Sequence, residues 1–181
     1  DAAVTIQATV VLPADSGIPQ WKIFVENRSD YWGLWTLSYP LVNGFPAAGN
    51  YDIARPVFAG GGHLLKGWKE KLEARYPSGG WPMQFLAVSA GKNSVYLGTR
   101  DADARAKDFL VEPGVRTAIV HYAENMGVAG SDWPDHHPIE FGVYQGSWIE
   151  AAHHYREWAL KQKWTQAGPL SRRQDIPELV K

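Results

Sequence analysis

A chain of 181 residues with 45% hydrophobic and 20% charged residues holds enough apolar material for one sizeable core, or for a domain with an appended element. Its formal net charge of −1 gives no electrostatic reason to expect nucleic acid or an anionic membrane as partner. With no cysteine, a disulfide scaffold, a thiolate zinc site and a cysteine nucleophile are excluded. No apolar run approaches the ~18 residues needed to span a bilayer. The chain starts at Asp1 and not Met, which reads as processing or trimming; the lack of cysteine fits an exported protein, periplasmic or extracellular. Nine Trp, eight Tyr and six Phe are a large aromatic complement, and such rings either fill a core or stack on apolar faces of ligands.

Val4, Ile6, Ala8 and Val10 alternate with Thr5, Gln7 and Thr9, the period of a half-buried strand. A turn over Pro13 to Pro19 leads to a second alternation at Trp21, Ile23 and Val25. Asn27 to Asp30 is turn chemistry, and Leu34 to Tyr39 reads as a strand ended by Pro40. From Val42 to Tyr76 the pattern breaks, with a glycine run at 60–62 and a weak helical stretch at Lys66 to Glu73. Strands resume at Met83 to Ser89 and, after Gly91-Lys92-Asn93, at Val95 to Thr99. Asp101 to Ala106 is a polar connector. Lys107 to Val111, Val115 to Tyr122 and Ile139 to Tyr144 are three more strands, the last preceded by a polar loop from Asn125 to Pro138. Ser147-x-x-Glu150 is a capping box, so a helix is expected from Trp148 to about Trp164, stopping before Gly168-Pro169. The fold class is mostly all-β: an antiparallel β-sandwich with one C-terminal α-helix.

Chemistry-bearing clusters are few. Asp132, Asp135, His136, His137 and Glu140 invite a metal, but adjacent histidines on extended chain point apart and the spacing matches no ligand motif. His153 and His154 sit beside Glu150 and Glu157 as ordinary positions on a charged helix face. The glycine run before Lys66 fails as a phosphate loop, since Leu65 and Gly67 occupy the second glycine and hydroxyl positions. Glu26, Glu112 and Glu140 lie near strands, yet nothing pairs two of them as glycoside hydrolysis requires. No catalytic residue, metal site or cofactor is therefore assigned. Sugar stacking is the better chemistry, with Trp32 beside Asp30, Trp81 after Ser78-Gly79-Gly80, and Trp133 with His136 as candidate contacts.

Trp21-Lys22-Ile23-Phe24-Val25-Glu26-Asn27-Arg28-Ser29, followed by Leu37-Ser38-Tyr39-Pro40, resembles a strand pair of galactose-mutarotase-like supersandwich domains. Such domains precede the catalytic barrel of large bacterial glycoside hydrolases. Tyr76-Pro77-Ser78, Met83-Gln84-Phe85 and Val95-Tyr96-Leu97-Gly98-Thr99-Arg100-Asp101, with Lys107 and Phe109, are similar to later strands of that domain. Gly146 to Ala152, with Tyr155-Arg156 and Trp158-Ala159, resembles the helix that leads into the barrel. The resemblance implies a sandwich over residues 1–146, lacking some N-terminal strands, and a helix and linker over 147–181. It implies a non-catalytic scaffold, inactive alone, with the downstream barrel and weakly held carbohydrate as partners. An independent carbohydrate-binding module and a mutarotase-like epimerase are the alternatives.

On the helix, Trp148, Ala152, Tyr155 and Ala159 fall on one stripe, with Trp158 at its edge. Ile149, Leu160 and Trp164 form a second apolar side. Two such sides are expected of a helix wedged between two bodies, so these three are assigned to domain docking and expected to be exposed in this chain.

Overall fold

A computed structural model describes residues 3–14, 17–46, 51–55, 63–134, 137–169 and 172–175. Its strands are β1 (Val4–Val11), β2 (Gln20–Asn27), β3 (Thr36–Asn43), β4 (Asp52–Arg55), β5 (His63–Lys66), β6 (Leu72–Tyr76), β7 (Phe85–Ala90), β8 (Asn93–Thr99), β9 (Lys107–Glu112), β10 (Arg116–Tyr122) and β11 (Ile139–Gln145). Helix α1 spans Trp148–Ala159, with a 3₁₀ turn at Lys163–Thr165. The strands form a seven-stranded sheet in the order β1-β2-β11-β8-β7-β4-β5 and a four-stranded sheet in the order β3-β10-β9-β6. Among the described residues, every pairing between these strands is antiparallel. This is the expected sandwich.

The core lies between the sheets. Ile53, Leu86, Val88, Leu97 and Ile139 from the larger sheet meet Leu72, Tyr76, Phe109, Val111 and Ile119 from the smaller one. Alternate residues of the central strands face the other way, where α1 covers them: Phe85, Ala87 and Tyr96 pack with Ala151 and Tyr155. Burial on both faces explains why Phe85 to Val88 is a continuous apolar run rather than an alternation. The Phe85 ring lies 5.0 Å from Tyr155 and 5.8 Å from Tyr96, an aromatic layer that pins the helix to the sheet.

The capping box forms: Ser147 Oγ accepts from the Ile149 N–H, and Glu150 accepts from the Ser147 N–H at 2.6 Å. Its packed stripe differs from the expected one by a rotation. Ala151 and Tyr155 are buried and Ala152, Trp158 and Ala159 are partly so, while Trp148 is exposed. Small Ala151 lets the helix axis approach the sheet, where a Trp would hold it off. The α-helix also stops at Ala159, short of Trp164. The Thr165 hydroxyl donates to the Ala159 carbonyl at 2.7 Å, satisfying one of the acceptors a helix end leaves free.

Three other expectations are corrected. β1 alternates in sequence yet is exposed along its whole length, because it is the sheet edge and neither α1 nor the smaller sheet reaches it. Lys66 to Glu73 forms no helix. Gly67 turns the chain at φ +56°, and Leu72–Tyr76 becomes a strand whose ends are buried against the core. β3 runs on through Pro40, which sits at a register shift on an edge strand where its missing N–H costs no ladder bond. The glycine run at 60–62 lies outside the described residues.

Candidate functional site

The described residues among the expected sugar contacts lie at different depths. Trp32 is exposed on the loop between β2 and β3. Trp81 is fully buried: its ring stacks on Phe109 at 4.9 Å and its Nε1 donates to the Phe85 carbonyl at 3.1 Å. Trp133 is buried with Val25 and Ala123, where its backbone forms an antiparallel bridge with Val25. Both are core residues, because the turn-like sequence before each folds inward and not onto the surface. His136 and Asp135 lie outside the described residues. Asp132, from the same loop, accepts the Asn27 N–H at 2.8 Å and so acts on the backbone. Glu26 and Glu112 pair with Arg28 and Arg116 in partly open positions. Ile149, Leu160 and Trp164 are exposed as expected of the second helix side.

The buried polar chemistry lies elsewhere, around the connection from β8 to β9. Asp101 and Lys107 are both fully buried, with Lys107 Nζ donating to Asp101 Oδ2 at 2.8 Å. The Arg105 N–H donates to the same carboxylate at 2.8 Å, and the Asp103 N–H at 3.0 Å. Gln84 completes the cluster: its Oε1 accepts from Thr99 Oγ1 at 2.5 Å and from Lys107 Nζ at 3.1 Å, and its Nε2 donates to the Asp101 carbonyl at 2.9 Å. Burial by itself would raise the Asp101 pKa. The Lys107 charge and hydrogen bond, with His137 and the Arg105 N–H, outweigh it and hold the group at about 2. Behind it, burial first and then the His137 and Lys107 charges push His121 down to about 3. His121 is therefore neutral, with Nε2 donating to the Tyr39 carbonyl at 2.9 Å.

A second cluster lies on the other face of the larger sheet. Glu140 is buried, accepting from Arg100 Nη2 at 2.7 Å, His154 Nε2 at 3.0 Å and Gln20 Nε2 at 3.2 Å. Burial opposes its ionisation, but the His154 and Arg100 hydrogen bonds prevail and hold its pKa below the ordinary value. A polar groove of about 350 Å³ opens beside it between α1 and the sheet, lined by Gln20, Arg100, His154, Trp158 and Lys161. Consecutive residues thus serve two layers. Arg100 ties the sheet to α1 through Glu140, and Asp101 ties β8 to β9 through Lys107. Two ionised carboxylates held by basic partners are acceptors in a scaffold, and neither is tuned to give up a proton near neutrality.

Sequence reasoning passed over both clusters. Lys107 carried a signal, since it shares the inward face of β9 with Phe109 and Val111, where an ammonium needs a partner. Glu140 stood out only as one of several acidic residues near strands, with nothing in the sequence to join it to Arg100 and His154. It alternates as a solvent-facing residue should, and only α1 buries it.

These features define a two-sheet antiparallel sandwich with a helix on the outer face of its larger sheet, locked by the buried Asp101–Lys107 ion pair at the β8–β9 connection. Over 114 residues the chain is 35% identical to "Putative glycoside hydrolase 22789" of Monosiga brevicollis, a match covering 56% of this chain and 10% of that protein. The match therefore spans about a tenth of the relative's length. No protein-family profile matches the chain. No solved structure matches it either.

Proposed function

We propose that this chain is a non-catalytic, galactose-mutarotase-like sandwich domain of a glycoside hydrolase. In this reading residues 1–146 form the sandwich, and 147–181 form the helix and linker that dock on a catalytic barrel of the same polypeptide. The observation that carries the reading is the similarity to one segment of a much longer glycoside hydrolase-like protein. The geometry agrees with it. α1 presents Ala151 and Tyr155 to the sheet, and Ile149 and Leu160, with Trp164 just beyond, to solvent. A helix that only closed its own domain would need one apolar side. The epimerase alternative needs an open carboxylate and histidine, whereas Glu140 on the sheet and His154 on α1 are bonded to each other.

Two measurements test this. The purified 181-residue chain should release no aglycone from a broad panel of aryl glycosides. Turnover that is lost on changing one exposed carboxylate, with folding intact, would refute the reading. In the polypeptide made from the complete gene, amides of α1 should exchange more slowly than in the isolated chain. Trp164→Ala should remove that protection and leave the isolated sandwich as stable as before; equal exchange in both proteins would remove the docking role.

A further inference from the structure

Large aromatic side chains that meet water singly are ordinary, but three within five residues on a fixed loop are not. The segment between β2 and β3 carries Tyr31, Trp32 and Trp35, which are 88%, 76% and 64% exposed. Its backbone is held from below by Asn27 and Ser29, both buried. Asn27 Nδ2 donates to the Trp32 carbonyl at 2.8 Å, and Asn27 Oδ1 accepts the Ser29 N–H at 3.1 Å. Ser29 Oγ accepts the N–H groups of Tyr31 and Trp32 at 3.2 and 2.9 Å.

The facing loop holds the other side. The Gly127 N–H donates to the Leu34 carbonyl at 2.9 Å and the Ala123 N–H to the Trp35 carbonyl at 3.0 Å. Gly33 crosses this loop so closely that a Cβ there would stand 2.1 Å from the Gly127 carbonyl carbon. The short polar side chains are spent on backbone, and the rings are left largely to solvent, with one edge of the Trp35 indole lying along Gly127. The entropy of ordering such a loop is lost during folding, so a ligand meets a prepared surface.

We propose that Tyr31, Trp32 and Trp35 form a stacking platform for the pyranose rings of a glycan. The proposal rests on the glycoside hydrolase reading for its ligand class, and on the loop for its place. Aromatic faces cover the C–H faces of a sugar, while the indole N–H groups, the Tyr31 hydroxyl and the exposed Asp30 carboxylate supply hydrogen bonds to hydroxyls. Size favours this occupant over a docked domain. The three rings offer about 450–750 Å². Exposed Met126 and Val128 on the facing loop enlarge the patch. The rings themselves fall short of the about 800 Å² that each partner gives to a stable protein interface. Two or three sugar rings need no more than is there.

The test is an NMR titration of the 181-residue chain with cellohexaose, maltohexaose and a β-1,4-galactan tetraose, followed through the indole N–H signals. At least one saccharide should shift the Trp32 and Trp35 indoles and leave those of Trp81 and Trp133 unmoved. Single replacements Tyr31→Ala, Trp32→Ala and Trp35→Ala should each weaken that binding about fivefold or more without changing stability. No binding of any of the three to about 10 mM overturns the proposal. So does binding that survives replacement of all three rings. If the polypeptide from the complete gene protects the loop amides without sugar, the patch is a docking surface and the glycan proposal falls. The sandwich-domain reading is independent of all three failures, because exchange in α1 decides it.

Discussion

Asp101→Ala is expected to cost the fold about 3–5 kcal/mol, read as a fall in the urea midpoint with an unchanged slope. The loss comes less from the missing attraction than from what is stranded. Lys107 is fully buried on the inward face of β9, and without Asp101 its ammonium keeps the Gln84 oxygen at 3.1 Å and the face of the Tyr76 ring at 4.9 Å, neither of which carries a compensating charge. The N–H groups of Asp103 and Arg105 lose their acceptor as well. Asp101→Asn separates these effects, since its amide oxygen can still accept from the loop while the charge is gone; it should cost less than alanine. Stability should also depend on pH with a definite sign. The Asp101 pKa is held at about 2 against an ordinary 3.8, so the folded state binds its proton less readily than the unfolded chain. Its contribution is present in full above the unfolded value and is lost as the pH falls through that window toward about 2. A cost below about 1 kcal/mol for Asp101→Ala would mean that the ion pair does not hold the β8–β9 connection.

Trp81→Ala should cost about 3–5 kcal/mol, the loss expected on truncating a fully enclosed indole. The ring is stacked nearly parallel on Phe109, with an interplanar angle of 4°, and its N–H is satisfied by the Phe85 carbonyl. Removing it opens a cavity between two sheets already braced by their own ladders, so collapse to fill the space is limited. Trp32→Ala, by contrast, should change stability by no more than about 0.5 kcal/mol, because that ring touches mainly water. Thermal or urea unfolding of the two variants side by side checks the assignment. Equal costs would show that burial does not separate these two tryptophans.

Much of the sheet was legible because strand signals are local. The alternation at Trp21, Ile23 and Val25 marks an inward row wherever the strand finds its partners, and Lys107 to Val111 is a strand as read. The capping box at Ser147 and Glu150 is equally local and forms as read. Where the reading failed, a distant segment had decided the outcome. Val4 to Val10 has the period of a half-buried strand, yet no layer covers the sheet edge on which it lies. Lys66 to Glu73 reads as a weak helix, yet pairing with β9 across the smaller sheet draws its end, Leu72 and Glu73, into a strand.

The candidate site was less legible than the fold, for the same reason. By itself the sequence determined strand periodicity, turn positions, the helix start and the lack of any thiol chemistry. Those properties are carried by residues within a few positions of one another. Only the tertiary structure decided which aromatic rings are core and which meet water. Trp32, Trp81 and Trp133 sit in similar turn-rich sequence but at different depths. It also decided that Glu140 meets Arg100 and His154, and that Tyr31, Trp32 and Trp35 stand out together on a pinned loop. Burial and charge pairing are set by neighbours from other strands, and the energy of a side chain depends on those neighbours more than on the residues beside it in the chain.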